Sequence, residues 1–256
     1  MDSSTATLHP ATPAAIPGEA GERFLRDGFL RLDDAISDDE LATLEEIYDR
    51  CFADDSLGVR RKALGGTDDA GRQTLPQVLG PSQVVPELRE LDYFKQAQRI
   101  ASDIFGAPAE PRSEHMILKP AGYGIATPWH QDQAYHNPTH HYRNINFWLP
   151  LDGATVEGGC MHFVRGSHLG PILPHEYLEP GNKETALVAQ DQDYWSLNGT
   201  PVPCPRGSCT LHHSYMLHYA GPNTTDLPRR AYIVVFGVKP EKLDRPWQLP
   251  WMASRP

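Results

Sequence analysis

A chain of 256 residues that is 39% hydrophobic and 22% charged has enough apolar material for a core without disulfide staples, which excludes wholesale disorder. No run approaches the roughly 18 consecutive apolar residues of a transmembrane helix, and a formal charge of -10 opposes nucleic acid and anionic membranes, which both require a basic footprint. Four cysteines (Cys51, Cys160, Cys204, Cys209) without a CxxC pair suit free thiols in a reducing, cytoplasmic compartment.

Residues 1–18 combine Ser, Thr, Ala and Pro with neither a basic start nor an apolar run, so a mobile tail is expected there and not a secretory signal. The remainder, 19–256, is expected to form one domain: a helical part to about 110 and a β core over about 111–240. A short helix over 21–26 leads into a strand over 29–32. Ser37 with Glu40 forms a capping box, Ile36 with Leu41 a hydrophobic staple, and Leu41, Leu44, Ile47, Tyr48 and Cys51 then recur at helical spacing. Residues 54–71 are polar and glycine-rich and carry Arg60-Arg61-Lys62, as either a mobile connection or a lid closing over a pocket, with the basic run as a solvated patch or a clamp for an anion. A second helix over 91–105 stops at Gly106. Beyond Pro111 short apolar runs (115–118, 145–151, 161–164, 210–217, 231–238) are bounded by Gly, Pro, Asn and Asp, which favours a mainly β sandwich or barrel with flanking helices.

His130 and Asp132, two apart on a strand, would point to the same face and could converge on one ion. His218 ends an apolar run before the turn residues Gly221, Pro222 and Asn223, and Arg229 opens the returning strand. Two imidazoles and one carboxylate on one face make a facial triad suited to non-haem Fe(II), with open positions for a 2-oxoacid and dioxygen. The planar guanidinium of Arg229 suits bidentate capture of the co-substrate's distal carboxylate.

In Trp-His-Gln-Asp (129–132) followed by Tyr135, in Gly-Gly-Cys-Met-His-Phe-Val-Arg-Gly-Ser-His (158–168), and in Leu-His-Tyr-Ala-Gly-Pro-Asn (217–223) followed by Arg229, the chain resembles the phytanoyl-CoA dioxygenase family of Fe(II)/2-oxoglutarate oxygenases. The resemblance implies a double-stranded β-helix (jelly-roll, cupin-like) core, with His130, Asp132 and His218 as iron ligands and Arg229 salt-bridged to 2-oxoglutarate. It places Trp148 in the co-substrate pocket, Gln77 where relatives carry a polar co-substrate contact, and His115 on the strand entering the pocket. The reaction implied is oxidation, by default hydroxylation, of a small-molecule metabolite with O2 and release of succinate and CO2, by a monomer or small homo-oligomer. Two positions depart from the family pattern: Arg165 stands where a proline often precedes Gly-Ser-His, and Ala220 where a small hydroxyl residue often follows the distal histidine. A carboxylate at 132 argues against a halogenase, whose iron needs that position for halide.

Other readings use the same residues. A non-catalytic metal-binding jelly-roll module or a cupin-type isomerase has no use for Arg229 and Trp148, and a zinc hydrolase would want a general base beside the metal water. His212 and His213 lie near Cys204 and Cys209, but adjacent strand residues face opposite ways and the spacing fits no common zinc site; His213 is expected to line the pocket or satisfy a core hydrogen bond. His136, His140 and His141 are expected in a loop, His162 and His168 in structural roles, and Tyr123, Tyr135 and Asn146 either at the pocket or in the core. Trp247 and Trp251 in the Pro-rich tail are expected to act as a packing latch.

Overall fold

The structure is a computed structural model and describes residues 5–7, 18–183 and 185–252. In chain order it runs through β1 (Thr5–Thr7), α1 (Gly18–Asp27), β2 (Phe29–Asp33), α2 (Asp38–Ala53), β3 (Arg60–Ala63), β4 (Pro76–Leu79), α3 (Asp92–Phe105), β5 (Glu110–Lys119), β6 (Thr127–His130), β7 (His140–His141) and β8 (Asn144–Pro150). It continues through β9 (Met161–Phe163), β10 (His175–Tyr177), β11 (Leu187–Ala189), α4 (Gln192–Asn198), β12 (Thr200–Val202), β13 (Cys209–His213), β14 (His218–Ala220), β15 (Arg229–Gly237) and β16 (Glu241–Lys242). The expected mobile tail lies mostly outside the described residues; its described part, β1, pairs in parallel with β2.

Eight strands form one sheet in the order β1-β2-β13-β8-β15-β5-β4-β3, and four form a second, β12-β9-β14-β6. This is the expected jelly-roll class. Its layers follow from side-chain parity. On β15, Tyr232, Val234 and Phe236 join the core that α1, α2 and α3 press onto the outer face of the large sheet. Ala231, Ile233 and Val235 alternate with them and meet Trp148, Met161, Phe163 and Ala220 between the sheets. Ser37 caps α2 by accepting from the Glu40 amide (3.3 Å), whereas the Glu40 carboxylate accepts from the Tyr93 amide (3.1 Å), so only the Ser37 half of the expected capping box is seen; Gly106 ends α3 in the left-handed conformation as the sequence predicts.

The N-terminal hundred residues are less helical than expected, because β3 and β4 join the expected strand β2 in the large sheet. Within the glycine-rich segment, Arg60–Ala63 is an edge strand on β4, a non-local pairing that polar composition conceals. Arg61 is committed structurally: it donates to the carbonyl oxygens of Cys51 (2.8 Å) and Asp54 (3.1 Å) beyond α2. Arg72 covers the Tyr123 ring at 3.9 Å, so the turn of this hairpin already packs on the loop entering β6. Trp251 donates to the Ala134 carbonyl (3.0 Å) and the Trp247 amide to that of Pro138 (3.0 Å), which is a packing latch. Among the described residues no helix is long and apolar enough to cross a membrane.

Candidate active site

The small sheet brings the two histidines together: His218 stands directly opposite His130 across the β14–β6 pair, with ring centroids 4.1 Å apart. β6 is held in place from behind, where the Trp129 indole donates to Ser196 (3.0 Å) and its amide to Gln192 (2.9 Å) on α4. His130 donates from Nδ1 to the Pro128 carbonyl (2.7 Å) and His218 from Nδ1 to that of Met216 (2.9 Å). Each imidazole therefore turns a bare Nε2 towards the other, the orientation a metal ligand needs.

Asp132 does not continue the strand. Gln131 is still extended, and Asp132 opens a short 3-10 turn, Asp132–Tyr135, that carries its carboxylate under the histidines. Asp132 Oδ1 lies 3.5 Å from His130 Nε2 and 3.8 Å from His218 Nε2. His218 likewise begins a strand instead of ending one, because residues 214–217 turn out of β13 first.

One ligand atom from each of His130, Asp132 and His218 lies within 4.8 Å of the others. Burial alone would raise the Asp132 pKa, yet the adjoining imidazoles of His218, His130 and His212 hold it well below the usual carboxylate range. Burial and the neighbouring His130 push His218 well below the ordinary histidine value. Two imidazoles and one carboxylate fit a divalent iron ion and leave positions open for other ligands. Among the described residues this is the only His/Cys/Asp/Glu cluster of metal-binding geometry; Cys204 and Cys209 are buried in the core.

The same inner face carries the co-substrate candidates. Arg229 is 3% exposed, and among the described residues neither its Nε nor its Nη1 has a partner. Its guanidinium carbon sits 5.4 Å from the Trp148 ring centre. Burial lowers its pKa to about 10, so it remains a cation at neutral pH. Gln77 pairs in register with Ile117 and His115 with Ile233, on the inward parity of β4, β5 and β15. The Gln77 Nε2 is buried and partnerless among the described residues, and burial lowers the His115 pKa.

Sequence reading missed three participants. Lys119, opposite Arg229 on β5, is fully buried and donates to the Ala220 carbonyl (2.9 Å) and to that of Gly221. It thereby holds the chain just beyond His218, at Ala220 and Gly221. Burial, followed by the adjacent Arg229, lowers its pKa well below that of an ordinary lysine. Gln131 is an inward staple, with its side-chain amide donating to Tyr215 (2.8 Å) and accepting from Leu173 (2.7 Å). His212 faces the site in place of His213: its Nε2 is 3.6 Å from Asp132 Oδ2, whereas His213 packs with His168 and Tyr215 around a separate cavity of about 470 Å³. The opposed faces of two adjacent histidines were legible, but which one faced inward required the register of β13 on β8.

The remaining sequence candidates fall into place. Asn146 is at the site, donating to Asp132 Oδ2 at 2.8 Å. Tyr135 sets its ring edgewise to His130 at 6.2 Å, while His136 stacks on Tyr142 at 4.5 Å. His140 and His141, expected in a loop, instead form β7, which pairs with β16, and His168 donates to Leu25 (3.0 Å). Arg165, the departure before Gly-Ser-His, pairs with the buried Asp27 at the end of α1.

Fold and site together define a non-haem iron oxygenase that uses 2-oxoglutarate. The chain belongs to the phytanoyl-CoA dioxygenase family, whose model matches residues 24–231. Among solved structures it is similar to EvdO2 from Micromonospora carbonacea var. aurantiaca in complex with 2-oxoglutarate: 36% identity, 93% of this chain and 97% of that one covered, TM-score 0.80. The carbocyclase SnoK from nogalamycin biosynthesis shares the fold at 24% identity, with 90% and 87% of the chains covered and a TM-score of 0.73. A phytanoyl-CoA dioxygenase domain-containing protein 1 homolog of Caenorhabditis briggsae is 22% identical, covering 83% of this chain and 88% of that protein.

Proposed function

We propose that the protein hydroxylates a small-molecule metabolite: substrate C–H, O2 and 2-oxoglutarate give the C–OH product, succinate and CO2. The observation that carries this reading is Arg229, a buried guanidinium whose Nε and Nη1 have no partner among the described residues. An unpaired buried cation is costly, and a bidentate carboxylate relieves that cost. A 2-oxo diacid satisfies both ends of the pocket, its oxoacid end at the metal donors and its far carboxylate at Arg229.

His130, Asp132 and His218 would hold the iron, which would supply the O2 activation that couples decarboxylation of 2-oxoglutarate to substrate oxidation. The protein supplies position and charge. The carbonyl oxygens of Pro128 and Met216 fix the two imidazoles, and Asp132 contributes the negative charge. Arg229 and Gln77 offer donors to the co-substrate, Trp148 walls the guanidinium, and His115 lines the approach. Hydroxylation asks least of the substrate, one C–H bond within reach of the iron. The sequence's lack of a basic footprint favours a small metabolite over a polyphosphate ester. Four buried free cysteines support a reducing, cytoplasmic setting.

A screen of candidate metabolites with the Fe(II)-loaded protein tests the proposal. The substrate should raise succinate release above the uncoupled background and yield a product one oxygen atom heavier. If a substrate accelerates 2-oxoglutarate turnover but gains no oxygen, hydroxylation is wrong and the oxygenase assignment stands.

A further inference from the structure

We infer that His212 is a positioning residue which, with Asn146, clamps the outer oxygen of the Asp132 carboxylate so that only Oδ1 is presented to the metal. The inference rests on the assignment of His130, Asp132 and His218 as the iron site and deepens it. His212 lies on β13, where it pairs in register with Asn146 of β8. Cross-strand partners present neighbouring side chains to the same face, and these two converge on one atom. Asn146 Nδ2 donates to Asp132 Oδ2 at 2.8 Å, and His212 Nε2 stands 3.6 Å from the same oxygen. The other carboxylate oxygen, Oδ1, is the one facing His130 and His218.

The remaining surroundings of His212 are aromatic: the His218 ring at 4.4 Å and the Phe163 ring at 5.3 Å. It is 3% exposed, and among the described residues neither ring nitrogen has a hydrogen-bond partner. A buried donor left unmade is expensive, and the nearest acceptor with spare capacity is Asp132 Oδ2. A shift of less than 1 Å brings Nε2 into hydrogen-bond range. His212 also lies outside the group whose ligand atoms are mutually close, so it acts on the metal through Asp132 and not as a fourth ligand. With Oδ2 held by two donors the carboxylate cannot turn to bind through both oxygens, and a coordination position stays open for co-substrate. Outer hydrogen bonds of this kind typically alter metal affinity about 10–100-fold.

His212→Phe separates this role from a structural one. Phenylalanine fits beside Phe163 and removes the orphaned nitrogens, so packing alone predicts equal or higher thermal stability. The clamp predicts that the same variant loses metal affinity. The experiment is an anaerobic Co(II) titration of the wild type, His212→Phe, His212→Gln and His218→Ala, followed by visible absorption, with thermal unfolding alongside. His212→Phe should bind Co(II) about 10–100-fold more weakly, with a ligand-field spectrum altered by the freed carboxylate. His212→Gln, which keeps a donor, should recover most of the affinity. Unchanged affinity and spectrum in His212→Phe overturn the inference. So does a His212→Phe spectrum matching that of His218→Ala, which makes His212 a ligand. Adding 2-oxoglutarate at the end separates the two claims: a Co(II) effect without 2-oxoglutarate binding leaves the clamp standing and removes the proposed function. A wild type that binds no Co(II) removes both.

Discussion

Replacing Arg229 by lysine keeps the charge at the end of the pocket and removes its geometry. In the native side chain Nε and Nη1 are both buried and partnerless among the described residues, so on either two-pronged edge, Nε with Nη2 or Nη1 with Nη2, the planar group can meet a carboxylate through two parallel hydrogen bonds, one of them from an unused donor. An ammonium on a flexible stem makes one of them from a single point. The loss is one charge-assisted hydrogen bond, about 1.5–3 kcal/mol, which corresponds to a roughly 10- to 150-fold weaker Kd. The cross-strand neighbour Lys119 is already buried beside this position, and a second ammonium there adds repulsion. Isothermal titration of 2-oxoglutarate into anaerobic Fe(II)-loaded protein gives the number directly. Arg230→Lys is the control, since Arg230 faces α2 and pairs with Asp152 (2.6 Å), Glu45 (2.9 Å) and Asp49 (3.1 Å). That variant should lower thermal stability and leave 2-oxoglutarate binding intact. An Arg229→Lys Kd within threefold of the wild type would refute the assignment of Arg229 to the co-substrate.

His130→Ala, Asp132→Ala and His218→Ala should each lose iron, measured by elemental analysis, and keep the wild-type circular dichroism spectrum; full iron content in any one removes that residue from the ligand set. Gly159→Ala should lower the thermal midpoint: its φ is +79° and an added Cβ would stand 2.5 Å from the Gly221 carbonyl oxygen. Left-handed strain alone is on the order of 1–3 kcal/mol, and an unchanged midpoint would show that the turn after His218 gives way freely. Acid should weaken the fold through His175, whose burial lowers its pKa from 6.5 to about 4 while its Nε2 accepts from the Gln131 amide (3.1 Å). A lowered histidine pKa contributes stability that is complete above pH 6.5 and is lost as pH falls through about 4. The full contribution is about 3 kcal/mol, so His175→Gln should flatten the decline of unfolding free energy across that window, and an equally steep decline would assign it to other groups.

The parts of the site written as local patterns were legible in the sequence. His130 and Asp132 are two residues apart, and His218 and Arg229 flank one turn, so their closeness was legible, although Asp132 reaches the site from a 3-10 turn and not by strand alternation. The mainly β class was legible for the same reason, through short apolar runs bounded by turn residues, and the jelly-roll within that class through the family resemblance. What depended on pairing between distant strands was not. Lys119 sits between an apolar run and Pro120, where a lysine ordinarily reaches solvent; it is buried because β15 lays Arg229 opposite it and β14 supplies the Ala220 carbonyl. His212 and His213 differ by one residue, and only the pairing of β13 with β8 decides which meets Asp132. Arg60–Ala63 has no apolar alternation, since an edge strand of charged residues gains its structure from β4 alone.

The central claim is that this donor set and this guanidinium turn over 2-oxoglutarate. The most direct measurement is succinate formed from 2-oxoglutarate by the Fe(II)-reconstituted protein in air, without primary substrate, compared with Asp132→Ala and with an anaerobic sample. The account predicts slow succinate formation that requires Fe(II), O2 and Asp132. Wild-type protein that binds iron yet forms no more succinate than Asp132→Ala would contradict it.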